Sequence, residues 1–164
     1  MSRVNGLLFE IDKKINLQTT GPSAFLSSGG ANTILASVFI PANTFAVNDV
    51  IQIEHMNQKS GATAILTWYY YYNTANNLVG ATQIAQRSES AANIASPGMR
   101  KLAIRSTTNN TYVMGSTANF YTDFQTITSA SSTLSLNWTV DSYILLTGTY
   151  SSDTVRNLYL KITN

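Results

Sequence analysis

The chain has no cysteine and only one histidine in 164 residues. Without thiols there is no disulfide framework and no thiolate metal site. Charge is also scarce. Asp, Glu, Lys and Arg together make up 11% of the chain, against about 25% in ordinary soluble domains. Ten basic and eight acidic residues leave a net charge of +2, and the only adjacent cations are Lys13-Lys14 and Arg100-Lys101. Affinity for a phosphate backbone scales with clustered cations, so nucleic-acid binding is not expected. No apolar run approaches the roughly 18 residues that a membrane helix needs. Residues 1–11 lack the sustained apolar stretch of a secretory leader. The expectation is a protein made in the cytoplasm without a cleaved leader and without membrane insertion.

Catalytic vocabulary is equally thin. A Ser-His-Asp relay can only use His55, and no Gly-x-Ser-x-Gly elbow surrounds any serine. His55 reads instead as a strand-end residue, partly packed or solvated. The carboxylates Glu10, Asp12, Asp49, Glu54, Glu89, Asp123, Asp141 and Asp153 are dispersed. Asp49, Asp141 and Asp153 fall where turns are expected, and turn chemistry accounts for them. No EF-hand spacing, zinc motif or phosphate-binding glycine loop occurs. The expectation is a non-enzymatic protein with no metal and no cofactor. Two Asn-x-Thr triplets, at Asn109 and Asn137, are what so Asn- and Thr-rich a chain produces by chance.

What the chain has in abundance is Ser, Thr and Asn, about a third of all residues, a share well above the usual composition. Thr suits the pleat of a strand, and Asn and Ser suit turns. From Thr33 onward the apolar period is two. Ile34, Ala36, Val38 and Ile40 read as one strand face, ending at Pro41. Ile51 and Ile53 oppose Gln52 and Glu54. Residues 62–72 and 81–86 read as partner strands, as do 101–105 and 111–114 across a polar turn. Residues 90–95 read as a helical turn ahead of Pro97-Gly98, and residues 120–128 as a short strand. In residues 133–140 the alternation is strict, with Leu134, Leu136, Trp138 and Val140 facing a core. Residues 143–150 form the next strand, and a last one has Leu158, Leu160 and Ile162 inward. About eight to ten short strands separated by turns predict an antiparallel jelly-roll-type β-sandwich or barrel, and no segment keeps a helical apolar period.

Residues 1–32 differ. Leu7, Leu8, Phe9 and Ile11 lie in short apolar segments, and Gly and Pro punctuate residues 21–30. This stretch reads either as an anchoring arm built on those four residues or as a first hairpin of the domain. The body is then residues 33–164. The one unusual constellation is Trp68-Tyr69-Tyr70-Tyr71-Tyr72. On a strand, Leu66, Trp68, Tyr70 and Tyr72 share the core face, and Tyr69 and Tyr71 stand on the other. Tyrosine offers large area, little rotamer entropy and a polar tip. The pair Tyr69 and Tyr71 reads as a subunit contact, a sugar-stacking platform, or a strand near an edge covered by a loop.

Three stretches also resemble a known family. They are residues 40–54 (Ile40-Pro41-Ala42-Asn43-Thr44-Phe45 through Glu54), residues 68–85 with Leu78-Val79-Gly80, and residues 138–148 together with Leu158-Tyr159-Leu160-Lys161-Ile162. They are similar to small jelly-roll domains of tailed-bacteriophage virion proteins, over roughly Thr33 to Thr163, by pattern more than by identity. The resemblance implies a TNF-like or jelly-roll homotrimer on the virion surface: a head fibre, a capsid decoration, or the tip of a tail fibre or needle. Its partners would be copies of itself and other capsid or tail proteins, with a host-surface glycan as the alternative ligand. It carries no catalytic motif onto this chain. The chain departs from long fibres in having no heptad coil and no repeat shaft.

Overall fold

In the stretch that begins at Val50, every second residue is removed from solvent for ten residues, and this alternation sets the architecture. The computed structural model describes residues 15–27, 29–114 and 132–164. Among them are ten strands and no helix: β1 (Asn16–Gln18), β2 (Thr33–Ile40), β3 (Val50–Lys59), β4 (Leu66–Asn73), β5 (Thr82–Glu89), β6 (Ala95–Ser106), β7 (Asn110–Met114), β8 (Ser132–Leu134), β9 (Ser142–Thr149) and β10 (Val155–Thr163). They form a six-stranded sheet, β1-β10-β3-β6-β7-β8, and a four-stranded sheet, β2-β9-β4-β5. Every pairing is antiparallel. The chain is thus the all-β antiparallel sandwich that its alternation predicts.

The sheets share one apolar core. Ile51, Ile53, Leu102, Ile104, Leu160 and Ile162 come from the larger sheet. Val38, Ile40, Leu66, Trp68, Tyr70, Ile144 and Leu146 come from the smaller. Each such side chain, fully buried, contributes about 1.5–3 kcal/mol relative to exposure. The connections use the chemistry expected of them. Asn43 and Asn48 take positive φ between β2 and β3, a region that Asn tolerates. Asp49 accepts the Ala46 N–H at 2.8 Å, and Asp141 accepts the Ala42 N–H at 2.9 Å. Residues 15–27 run beside β10, with Ser23 N–H donating to Asn157 O at 2.8 Å and Leu26 N–H to Val155 O at 2.8 Å.

Several local expectations fail for physical reasons. The expected helical turn is a tight turn closed by Asn93 N–H to Ser90 O at 3.1 Å, and Pro97 and Gly98 lie inside β6, opposite Met56 and His55. The strict alternation of residues 133–140 ends as strand at Leu134. Leu136 and Trp138 are buried as expected, but Val140 is 38% exposed. Here the backbone is captured by neighbouring loops instead of a ladder. Trp138 N–H donates to Thr107 O at 2.6 Å, Asn43 N–H donates to Trp138 O at 2.9 Å, and the Tyr72 hydroxyl donates to Asn137 O. Trp138 then closes one end of the core, edge-on to Phe45 and Tyr72 at 5.4 and 5.2 Å.

Two bulges shift the inward phase elsewhere. In β2 the register slips between Ile34 and Ala36, so Leu35 is buried and Ile34 turns outward. In β10 it slips between Asn157 and Tyr159, which takes Leu158 off the core face. Asn157 braces that bulge, its Nδ2 donating to Met56 O at 3.1 Å and Tyr159 O at 2.8 Å. Residues 120–128 lie outside the described residues.

His55 stands in the middle of β3, not at its end, and is 1% exposed. It packs edge-on to Trp68 at 4.5 Å. A Cβ on Gly98 would fall 2.3 Å from His55 Cε1 and 2.6 Å from Trp68. Both rings are rigid, so only glycine fits. Gly98→Ala is expected to lower stability by about 2 kcal/mol or more, read as a drop in the denaturation midpoint with an unchanged slope.

Candidate functional site

The four-stranded sheet turns one face to the core and one outward. Pairing registers place the outward residues in rows: Ile34, Thr147, Tyr69 and Gln86; Ser37, Leu145, Tyr71 and Gln83; then Phe39, Tyr143 and Asn73. Tyr69 and Tyr71 are here because period two sends Trp68, Tyr70 and Tyr72 inward, and all three of those are buried. Sequence reasoning placed this pair on the face opposite the core, where it lies. It missed Phe39, Tyr143, Ile34 and Leu145, which share the face. The signal for Leu145 lay in Ile144-Leu145-Leu146, a run apolar in both phases.

Tyr69 and Tyr71 are half-buried, with ring centroids 5.9 Å apart and planes tilted by 32°. The Tyr71 hydroxyl accepts from Asn32 Nδ2 at 3.2 Å and donates to Gln83 Oε1 at 3.5 Å. Partial burial raises its phenol above the ordinary tyrosine range. Leu145 and Thr147 are fully covered between the tyrosines and β2. Phe39 is 45% exposed and lies 5.3 Å from Tyr143. The rows contain no Asp, Glu, Lys or Arg. At one end the face borders a shallow open hollow of about 410 Å³ lined by Ile65, Thr67, Thr149 and Tyr150.

Such a surface suits packing or stacking, and its polar groups are hydroxyls and amides. The other sequence candidates are elsewhere. Glu89 is buried and bonded to Arg87 at 2.9 Å. Asp153 accepts from the Thr63 hydroxyl at 2.7 Å and from the Ala64 and Thr63 N–H groups at 2.7 and 3.0 Å, which hold its carboxyl below the ordinary range. Among the described residues no three His, Asp or Glu side chains converge as metal ligands would. Leu7, Leu8, Phe9 and Ile11, the expected anchoring residues, lie outside the described residues. No protein-family description, curated protein or solved structure matches the chain.

His55 is locked in the core. The Tyr70 hydroxyl donates to Gly98 O at 3.1 Å, so it accepts from His55 Nδ1–H at 2.6 Å. That arrangement calls for a proton on Nδ1, and burial keeps the ring neutral. Burial lowers its pKa from 6.5 to about 3. The unfolded chain therefore binds this proton first. The stabilising effect of a neutral His55 is fully present above pH 6.5 and is lost as pH falls toward 3, at about 1.4 kcal/mol per pH unit. The lowered Asp153 carboxyl adds to the loss only below the ordinary Asp range. Chemical denaturation between pH 7 and 4.5 should show this slope, and His55→Gln should abolish it.

Proposed function

We propose that this chain is a structural surface protein of a tailed-phage virion, one that works by assembling with copies of itself, as a trimer, and with other virion proteins, and that it carries no catalytic activity. The strand order supports the jelly-roll part of the reading. With the β7–β8 pair set aside, β1-β10-β3-β6 faces β2-β9-β4-β5, so the first four strands of the chain alternate between sheets, as in a double-sheet roll. The similarity of residues 40–54, 68–85 and 138–148 to small phage jelly rolls supports the setting.

The observation that carries the assembly reading is the outward face of the four-stranded sheet. Interface centres are depleted in charge and enriched in tyrosine and phenylalanine. Tyr69, Tyr71, Tyr143 and Phe39 stand on this face without one charged neighbour in their rows. Covering such a patch removes apolar area from water without desolvating charge, and desolvated charge is the costliest part of forming an interface. A host-glycan module is the second reading. The amides of Asn32 and Gln83 meeting at the Tyr71 hydroxyl favour it, because an amide donor and an amide acceptor beside an aromatic ring suit a sugar's hydroxyls and its apolar face.

The two readings separate in solution. Mass measurement of the full chain should give a species built on three copies, a trimer or a pair of trimers, and Tyr69→Ser with Tyr71→Ser should weaken the three-fold association at least about tenfold, or 1.4 kcal/mol, while the circular dichroism stays that of the folded chain. A stable monomer at all accessible concentrations would overturn the trimer. Glycan-array binding lost on the same substitutions, with the mass unchanged, would establish the second reading in its place.

A further inference from the structure

The described sheets have four edges, and three of them are blunted. An open strand edge presents unpaired N–H and C=O groups to any other strand, and proteins guard it with short strands, bulges, inward charges or a covering segment. β1 is three residues long, and residues 19–26 continue beside β10 through separate bonds, among them Thr19 N–H to Leu160 O at 3.0 Å. β8, at the other edge of that sheet, is also three residues long. β5 carries a bulge at Ile84 and sets Arg87 and Glu89 opposite the inward residues Trp68 and Leu66. β2 differs. Its eight residues, Thr33–Ile40, include no charge and no proline. Its one bulge lies near its start, so residues 36–40 pair regularly with β9. Among the described residues β9 is its only ladder partner.

We infer that β2 is an assembly edge, which pairs antiparallel with β2 of a second copy about a two-fold axis and so doubles the four-stranded sheet. Charge and register identify the occupant. A two-fold axis sets the strand against itself, and a strand without charge meets no like charge in doing so. The regular segment is centred on Val38. An axis there puts Ser37 opposite Phe39 of the copy on the outward face, and Ala36 opposite Ile40 on the inward face. Both faces therefore stay in phase, as a strand buried on one side requires. Phe39 then moves from the edge of the face to its middle. The contact does not depend on the three-fold reading, because a self-complementary edge gives even-numbered species.

The absence of native cysteine makes the test direct. Directly opposed residues on neighbouring strands lie within disulfide reach. Full-length Ser37→Cys and Phe39→Cys chains, distinguished by a tag and mixed under mild oxidation, should form the mixed disulfide well above its statistical share. Ser88→Cys, on the guarded β5 edge, should link no partner. Ser37→Lys, which places on β2 the kind of charge that guards edges elsewhere, should reduce pairing at least about tenfold with the circular dichroism of the folded chain unchanged. Tyr69→Ser with Tyr71→Ser should leave the β2 cross-link intact, which separates this contact from the trimer. A mixed product at its statistical share, or Ser37→Lys pairing like the parent, would overturn the inference. So would a cross-link that appears only after residues 1–14 are deleted, since that would make the chain's own N-terminal segment the occupant of the edge.

Discussion

Between the two sheets of this sandwich one hydroxyl of the smaller holds two strands of the larger. Tyr70 belongs to β4 of the smaller sheet, and its oxygen is bonded to His55 on β3 and to Gly98 on β6 of the larger. The missing side chain at Gly98 leaves room for the His55 and Trp68 rings, so the spacing of β3, β4 and β6 is set at one point. A buried polar link of this kind contributes little net stability when satisfied, but breaking it leaves a donor or acceptor stranded away from water. It therefore acts chiefly by penalising other registers. The outward face depends on the same point. With Tyr70 fixed inward, period two leaves Tyr69 and Tyr71 no choice but to face out.

This dependence explains which features were legible in the sequence. The tyrosine pair was, because Trp68, Tyr70 and Tyr72 are large enough to mark the inward phase unaided. The all-β class was, because nothing in the chain sustains a helical period. The bulges at Leu35 and Leu158 were not, because one inserted residue reverses the phase without changing composition. The membership of Phe39 and Tyr143 in the site was hidden with them: it rests on which strands are neighbours, and that is a long-range fact. Residues 133–140 misled for the converse reason. Alternating burial requires only an extended chain with one side toward the core, and the loops around Trp138 supply its backbone bonds as well as a ladder would. His55 misled because β3 keeps its inward phase while changing chemistry, from Ile51 and Ile53 to His55, Asn57 and Lys59, all buried.

The placement of charge connects the interior to the surface. In a chain so poor in charged residues, Lys59, Glu89, Arg100 and Asp153 are nonetheless buried. Each is costly to desolvate unless bonded. Lys59 sits at the end of β3, where its ammonium donates to Ala64 O at 2.5 Å and Ala91 O at 2.7 Å. Asp153 binds the backbone of residues 63 and 64 from the β9–β10 turn. Together they tie the loops after β3, β5 and β9 at one end of the sandwich. Ion–backbone bonds are strong for their number, which lets few residues hold several loops.

Spending charge on loops leaves the outward face of the smaller sheet neutral and keeps β2 free of it. Neutrality has two physical consequences that act in the same direction. It removes the desolvation cost of covering the face, and it removes the repulsion that would keep identical copies apart. It also forfeits the usual protection of an exposed edge. A protein that gained nothing from association would be expected to keep that protection on every edge, as β5 does with Arg87 and Glu89. The contrast between β5 and β2 within a single sheet is therefore a sharper indication of assembly than the tyrosines alone. Aromatic area favours any apolar or stacking partner, whereas an unguarded, uncharged strand favours another strand.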